Sequence, residues 1–288
     1  MNISQCIFII LLWFLFLGII IYWQRPQERY DYLSQNQIQI FVLYIPKRFN
    51  AIKKIMKKLD LNPIYVRGLD KNKITLKDSL KQGVIHTDWY KYSLKEDVSE
   101  KSEKKPVNTG RIACHLGHLK ILKLFLQSSD KYALIIEDDS YISWGESYDR
   151  KYKLRTILEN IPPDAQIVYL SYCHEFCDFV HTYNDIFSHA VRPLCRHFYL
   201  VSREGAKIIL DNTFPMHNTG DMMVGNLIVN KILKGYLVNL KFFSISQNRQ
   251  KEGVFKSNLN NNGKLSSCKK NIFHENKYVS IQQILNNS

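Results

Sequence analysis

Apolar residues form strand-length runs in some parts of this chain and recur at helical spacing in others. Strand-length apolar runs, most of them rich in β-branched and aromatic residues, lie at residues 38–45, 63–66, 131–136, 166–172, 197–202 and 236–245. Apolar residues recur at helical spacing in residues 51–61, 110–126, 152–160, 203–211 and 221–234. Strands that alternate with helices predict an α/β domain with a mostly parallel central sheet. We assign no regular element to the polar residues 70–108 or to the aromatic-rich residues 173–195.

An uncharged apolar run, Cys6–Trp23, lies near the N-terminus. A helix of this length nearly spans the hydrocarbon core, and the aromatic residues at its end favour the membrane interface. A cleaved signal peptide is the alternative, but the run is long for one and no small-x-small cleavage site follows it. The resulting division is a membrane anchor over 1–23, a polar stem over 24–37, a folded domain over 38–250 and a polar tail over 251–288.

The formal net charge of +14 predicts an anionic partner. Nucleic acid is excluded as the expected partner, because the lysines are spread along the chain without zinc-finger or basic-zipper spacing. The two common phosphate-binding loops, Gly-x-Gly-x-x-Gly and the P-loop, are also absent from the sequence. Phosphate-bearing small molecules and a lipid surface remain, and a solvated lysine-rich surface without a specific partner is the alternative.

Three acids, Glu137, Asp138 and Asp139, directly follow the apolar run that ends at Ile136. In open α/β sheets, ligands bind beyond the carboxyl ends of the strands. Side chains of an extended segment alternate, so Glu137 and Asp139 share one side. Two such carboxylates can hold a hard divalent cation whose other positions take substrate phosphates. A solvated acidic turn is the alternative.

Three blocks, in this order, resemble glycosyltransferase family 25, the lipopolysaccharide-type glycosyltransferases and collagen galactosyl- and glucosyltransferases. They are FVLYIPKRFNAIKKI at 41–55, GRIACHLGHLKIL at 110–122 and ALIIEDDSYI at 133–142, with a weaker fourth, RHFYLVSREGAKIIL, at 196–210. The matching positions are Gly110, Cys114, His118, Glu137, Asp138 and Asp139. Arg111, Ala113 and Gly117 depart from the family's pattern.

The resemblance implies a nucleotide-binding fold of the glycosyltransferase-A type, a UDP-hexose donor (galactose or glucose), Mn²⁺ and inversion at the sugar carbon. It also implies a glycan or a collagen-like hydroxylysine as acceptor, and favours a lumenal catalytic domain. Arg25 and Arg29, which follow the apolar run, favour the cytosolic side instead. The three departures leave open a second hypothesis, a catalytically inactive membrane protein that binds a glycan or a nucleotide.

Roles for single residues follow from this resemblance and from chemistry. Glu137 and Asp139 are expected to handle the metal and the diphosphate, and Asp138 to bond the donor ribose or cap the next helix. Asp221 is the candidate base that takes the acceptor's proton, and an N-cap role is equally compatible with its position. Donor contacts are expected from Gly110 and His118, and from the basic pair after the first strand, Lys47 and Arg48, which could also form a solvated turn.

Overall fold

The structure, a computed structural model, describes residues 13, 33, 36–95, 104–141, 147–172, 174–175, 180–239, 246–247 and 267–268. Its strands are β1 (Ile38–Tyr44), β2 (Ile64–Arg67), β3 (Tyr132–Glu137), β4 (Ser140–Tyr141), β5 (Ile167–Ser171), β6 (His174–Glu175), β7 (Phe187–His189), β8 (Phe198–Ser202), β9 (Gly235–Val238), β10 (Ser246–Gln247) and β11 (Ser267–Cys268). Its α-helices are α1 (Phe49–Leu59), α2 (Leu76–Lys81), α3 (Thr87–Ser93), α4 (Thr109–Leu126), α5 (Ser147–Glu159), α6 (Arg203–Asn212) and α7 (Gly220–Val229).

Seven strands form the main sheet in the order β2-β1-β3-β8-β5-β9-β7. The neighbours β2, β1 and β3 are parallel, as are β5 and β9, whereas β8 runs antiparallel to both β3 and β5. The α/β class is therefore confirmed, but the sheet is mixed rather than mostly parallel. The reason lies in the connection from β5 to β8, whose described part contains short strands and no crossover helix, so the chain returns antiparallel.

Both faces of this sheet are covered, which explains the continuous apolar runs. Along β1, Ile40 and Val42 pack in the cluster that includes α1 and α5, whereas Phe41 and Leu43 pack in the cluster that includes α4, α6 and α7. A strand that is buried on both faces reads as an unbroken apolar run. Ligands can therefore approach this part of the sheet at its edges, where the strands end.

The helices α2 and α3 fall in residues 70–108, where the sequence analysis assigned no element. Both are short, and each is capped by a side chain, from Thr75 and His86 respectively. They close over a small third core in which Trp89 and Ile85 are buried against Met216. Short capped helices on a small core give little periodicity, which is why the pattern did not show them. Residues 173–195, also unassigned, contain β6 and β7.

The predicted anchor, stem and tail lie largely outside the described residues. Only Trp13 of the anchor, residues 33, 36 and 37 of the stem, and residues 267–268 of the tail are described. In the part of the chain that the structure describes, no helix combines the length and apolar character needed to cross a bilayer. The anchor therefore stays a prediction.

Candidate active site

A cavity of about 450 Å³ lies where β1 and β3 end. Its walls come from four segments, which are residues 43–48 after β1, residues 67–72 after β2, the first turns of α4, and residues 137–139 after β3. The residues of the sequence-predicted site that line it are Lys47, Arg48, Gly110, Glu137, Asp138 and Asp139. The parallel arrangement of β2, β1 and β3 brings these segments together, because parallel strands end at the same edge of a sheet.

Asp138 is bound to the loop that follows β1. Its Oδ1 accepts a hydrogen bond of 2.7 Å from Arg48 Nη1, and its Oδ2 accepts one of 2.6 Å from the backbone N–H of Ile45. Both Arg48 and Asp138 are buried. Burial raises the pKa of Asp138, and the Ile45 amide and the Arg48 guanidinium oppose that rise. Asp138 thus fixes the basic loop, and its two predicted roles, a bond to the donor ribose or a cap of the next helix, stay predictions.

Glu137 points instead toward α4. Its Oε1 lies 2.7 Å from His118 Nε2 and 3.7 Å from Cys114 Sγ. His118 Nδ1 lies 3.1 Å from the hydroxyl of Tyr199. A neutral imidazole that donates from Nε2 to the carboxylate accepts the tyrosine hydroxyl at Nδ1. His118 therefore supports Glu137 from behind the cavity wall and does not line the cavity itself.

The charge state of this group follows from its burial. Burial and then the nearby charge of Arg196 hold the pKa of His118 well below its usual range, so His118 is neutral. Burial and then the Asp138 charge raise the pKa of Glu137 to about 7. Burial and the Glu137 charge also raise the pKa of the Cys114 thiol. Glu137 and Asp138 therefore favour their protonated forms more than free carboxyl groups do, mainly because they are buried.

The cavity wall formed by residues 137–139 has donors suited to a hard divalent cation. Asp139 Oδ2 lies 3.5 Å from Arg48 Nη1, which is farther than the oxygen of Asp138. Asp139 and Glu137 both line the cavity. Three carboxylates share this wall with one buried guanidinium, and carboxylate oxygens are preferred ligands of Mn²⁺ and Mg²⁺. Cys114, His118 and Glu137 also bring potential ligand atoms within 4.8 Å of one another. Their contacts are already hydrogen bonds, so we interpret this second group as support for Glu137.

Asp221 lies in the first turn of α7 and is absent from the lining of the cavity. Its carboxylate accepts hydrogen bonds from the backbone N–H groups of Met222 at 3.0 Å and Cys195 at 3.4 Å. Thr219 holds the N-cap position, so the N-cap alternative for Asp221 is wrong. The charge of Asp221 nevertheless raises the pKa values of Glu137 and Cys114, which places it within electrostatic reach of the site.

Arg196 is a component of the site to which the sequence analysis gave no role. It is buried, with 4 % of its surface exposed, and its Nη2 lies 3.0 Å from His115 Nδ1. Its Nε and Nη1 have no hydrogen-bond partner among the described residues. A Cβ added to Gly220 would overlap both Arg196 Nη2 and His115 Nδ1. The absence of a side chain at Gly220 therefore leaves room for the buried guanidinium of Arg196.

The three departures from the family's pattern have local explanations. Arg111 donates from Nη1 to the carbonyl oxygen of Pro106, next to the start of α4. At Gly117 an added Cβ would lie 3.0 Å from the side chain of Leu43, so the strand and the helix pack closely there. Ala113 lines the cavity with a small side chain. These contacts describe how the three residues pack around the site.

A covered α/β sheet with a charged cavity at its strand ends defines a ligand-binding α/β protein of the kind that includes many enzymes. Residues 38–224, more than half of the chain, match the model of glycosyltransferase family 25, described as LPS biosynthesis protein. The chain belongs to this family of glycosyltransferases, and membership implies a sugar donor and a glycan acceptor. A comparison with curated proteins finds no significant match.

Proposed function

We propose that this protein transfers a hexose from a UDP-sugar to a glycan, with inversion, and uses a divalent cation held by Glu137 and Asp139. The observation that carries the proposal is the presence of both acids and cations in the lining of one cavity. Glu137, Asp138 and Asp139 come from the end of β3, and the cations come from the segments at the ends of β1 and β2, namely Lys47, Arg48, Arg67 and Lys71. A diphosphate with its cation requires both kinds of side chain.

Each residue has a task in this mechanism. When bound, the cation supplies charge neutralisation for the diphosphate that leaves the sugar. Arg48 is fixed by Asp138, so it keeps the loop of Lys47 in place against the phosphates. His118 holds Glu137 in one orientation through the 2.7 Å contact. The first turns of α4, at Gly110, face the cavity with the positive end of the helix dipole, which also favours phosphate.

Inversion requires a base on the acceptor side of the sugar. Asp221 is our candidate, because its charge acts on Glu137 although it does not line the donor cavity. In Asp221→Asn we expect transfer to the acceptor to slow by a factor of about 100 or more, whereas donor binding is retained. Equal transfer rates in Asp221→Asn and the parent protein would remove Asp221 from this role.

The proposal is tested by UDP release from UDP-galactose and UDP-glucose with Mn²⁺, with and without candidate glycan acceptors. In Asp139→Asn and Glu137→Gln we expect release to fall by a factor of about 100–1000, because charge stabilisation of the leaving group is lost. Asp211→Asn, an exposed acid on α6, is the matched control and keeps full activity. Release at parental rates in both site variants would refute the assignment, and UDP-sugar binding without turnover would favour the non-catalytic hypothesis.

The apolar run at residues 6–23 supports a further part of the proposal, a single-pass membrane protein, and the family resemblance favours a lumenal catalytic domain. Protease protection in sealed vesicles tests this arrangement, since a lumenal domain survives digestion until detergent is added. Digestion of the domain in intact vesicles would place it on the cytosolic side. Full release of the protein by alkaline extraction would exclude the anchor.

A further inference from the structure

A second cavity, of about 490 Å³, lies between α3, the start of α7 and the chain that precedes α4. Its lining combines cationic, imidazole and carboxamide side chains from four separate segments of the chain. Lys104 and Arg192 are the cations, and His86, His217, Asn218 and Asn226 supply further hydrogen-bonding groups. The volume is that of a small-molecule site, enough for one or two sugar rings. None of these residues was part of the predicted site.

Positive charge dominates this cavity. Asp88 is the acid among the residues that line it, and its largely exposed side chain lies 3.6 Å from His86 Nδ1. Burial lowers the pKa of His217, and His86 and Lys104 lower it further. His217 therefore lies close to both groups, which line the same cavity. An anion placed among them would oppose this lowering of the His217 pKa, because opposite charge favours the protonated form.

The cavity is held in shape by the backbone around it. The N–H of His86 donates to the carbonyl of Met216 at 2.7 Å, and a bridge between Ile85 and Met216 places the two histidine-bearing segments side by side. Asn218 Oδ1 accepts from the N–H of Lys105 at 3.3 Å, and Trp89 Nε1 donates to the carbonyl of the same residue at 2.7 Å. A site whose walls are fixed in this way loses little entropy when a ligand binds.

The position of this cavity relates it to the donor site. The chain that leaves it at Lys104 reaches the donor cavity at Gly110, at the beginning of α4. On the other side, Asn218 lies three residues before Asp221, the candidate base. Two cavities that one short segment connects, with the candidate base close in sequence to the second, have the arrangement expected of a donor and an acceptor subsite.

We propose that the second cavity binds an anionic group, a carboxylate or a phosphate, on the acceptor glycan. This inference rests on the proposed function, in which a glycan is the acceptor. Lys104 and Arg192 contact the anion, and the imidazoles and carboxamides contact sugar hydroxyls. A neutral glycan of the same size lacks the charge that this cavity matches, so the acceptor is an acidic saccharide.

The test measures binding of four probes, glucose 6-phosphate, methyl glucuronide, methyl glucoside and inorganic phosphate, by NMR of the histidine imidazole signals. The charged sugars are expected to bind about tenfold or more tightly than methyl glucoside. Glucose 6-phosphate and methyl glucuronide distinguish phosphate from carboxylate as the preferred anion. If methyl glucoside binds as tightly as the charged sugars, or if inorganic phosphate alone matches glucose 6-phosphate, the inference is overturned.

Variants locate the binding in this cavity. Arg192→Gln and, independently, Lys104→Gln are expected to weaken the binding of the preferred charged sugar by about fivefold or more, since each removes one charge-assisted hydrogen bond. Lys207→Gln, an exposed cation on α6 that lines neither cavity, is the matched control and leaves the affinity unchanged. Thermal unfolding verifies that each variant is folded. Unchanged affinity in both folded cavity variants would refute the site.

Failure of this inference differs from failure of the proposed function. If charged sugars bind here and the protein releases no UDP from any UDP-sugar, the anion site stands and the transferase proposal fails. If UDP is released and the charged and neutral forms of one acceptor react with equal KM, the transferase stands and the acidic acceptor is refuted.

Discussion

At the scale of single residues, both carboxylate oxygens of Asp138 bind the loop after β1, through Arg48 and the Ile45 amide. We expect Asp138→Asn to lower the free energy of unfolding by about 3 kcal/mol, because it removes the charge that the buried guanidinium of Arg48 contacts at 2.7 Å. Urea denaturation of the metal-free protein measures this loss.

Asp164→Asn is the control for that measurement. Asp164 pairs with Lys234, but both side chains are about half exposed, so we expect a loss below about 1 kcal/mol. If the two variants lose equal stability, Asp138 is not a structural clamp of the loop after β1.

His115 provides a prediction about pH. Burial, and then the charge of Arg196, hold its pKa well below the usual value of 6.5, so it stays neutral in the fold and becomes protonated in the unfolded chain. A lowered folded-state pKa means that stability is present above about pH 6.5 and is lost as the pH falls below it. The loss at pH 5.5 amounts to about 1 kcal/mol.

His115→Gln removes this contribution. We therefore expect the variant to lose about 1 kcal/mol less than the parent between pH 7.5 and pH 5.5, whatever its stability at the higher pH. Urea unfolding at the two pH values gives the comparison. Parallel pH dependence in the two proteins would show that His115 is protonated equally in the folded and unfolded states.

At the scale of elements, the direction of β8 explains why Arg196 was missed. The sequence analysis looked for functional residues after strands, and this found the acids after β3 and the basic pair after β1. Because β8 is antiparallel to β3, its beginning lies beside the end of β3, and Glu137 N–H donates to the carbonyl of His197 at 2.8 Å. Arg196, two residues before β8, therefore lies near the end of β3. The direction of a strand cannot be read from its hydrophobic pattern.

Long elements with strong patterns were predicted well, and short ones were not. The sequence predicted α4 as residues 110–126, and the structure has Thr109–Leu126, capped by Asn108. In contrast, α2 and α3 owe their stability to caps and to the small core around Trp89. That core depends on Met216, which is distant in sequence, so no local pattern could reveal it.

The start of α7 offers a test of packing. In Gly220→Ala the new Cβ would overlap Arg196 and His115, so we expect a loss of about 1–3 kcal/mol despite the better helix propensity of alanine. Thermal and urea unfolding measure it. Gly68→Ala is the control, because a Cβ there meets its nearest atom, Tyr44 O, at an ordinary 3.5 Å. Equal stability of the Gly220 variant and the parent would contradict the crowded arrangement.

At the scale of the whole molecule, the donor cavity joins four segments, from the ends of β1, β2 and β3 and the start of α4. A ligand that bridges them stabilises the folded state, by about 2.7 kcal/mol at a concentration 100 times its Kd. We expect UDP with Mn²⁺ to raise the midpoint temperature of thermal unfolding. The rise is expected to be much smaller in the presence of EDTA or in Asp139→Asn. A midpoint unaffected by UDP and Mn²⁺ in the parent protein would argue against donor binding here.

Lys104 lines the second cavity and Gly110 lines the donor cavity, and the seven residues from one to the other are held by the indole of Trp89 and by the cap of Asn108. The distance between the two ends of this segment is limited, since seven residues reach at most about 25 Å when fully extended. We expect a substrate bound at one end to restrict the position of the other end, so that the two substrates enter in a preferred order. Initial-rate plots against one substrate at several fixed levels of the other would then intersect, and a dead-end analogue of the second substrate would inhibit uncompetitively against the first.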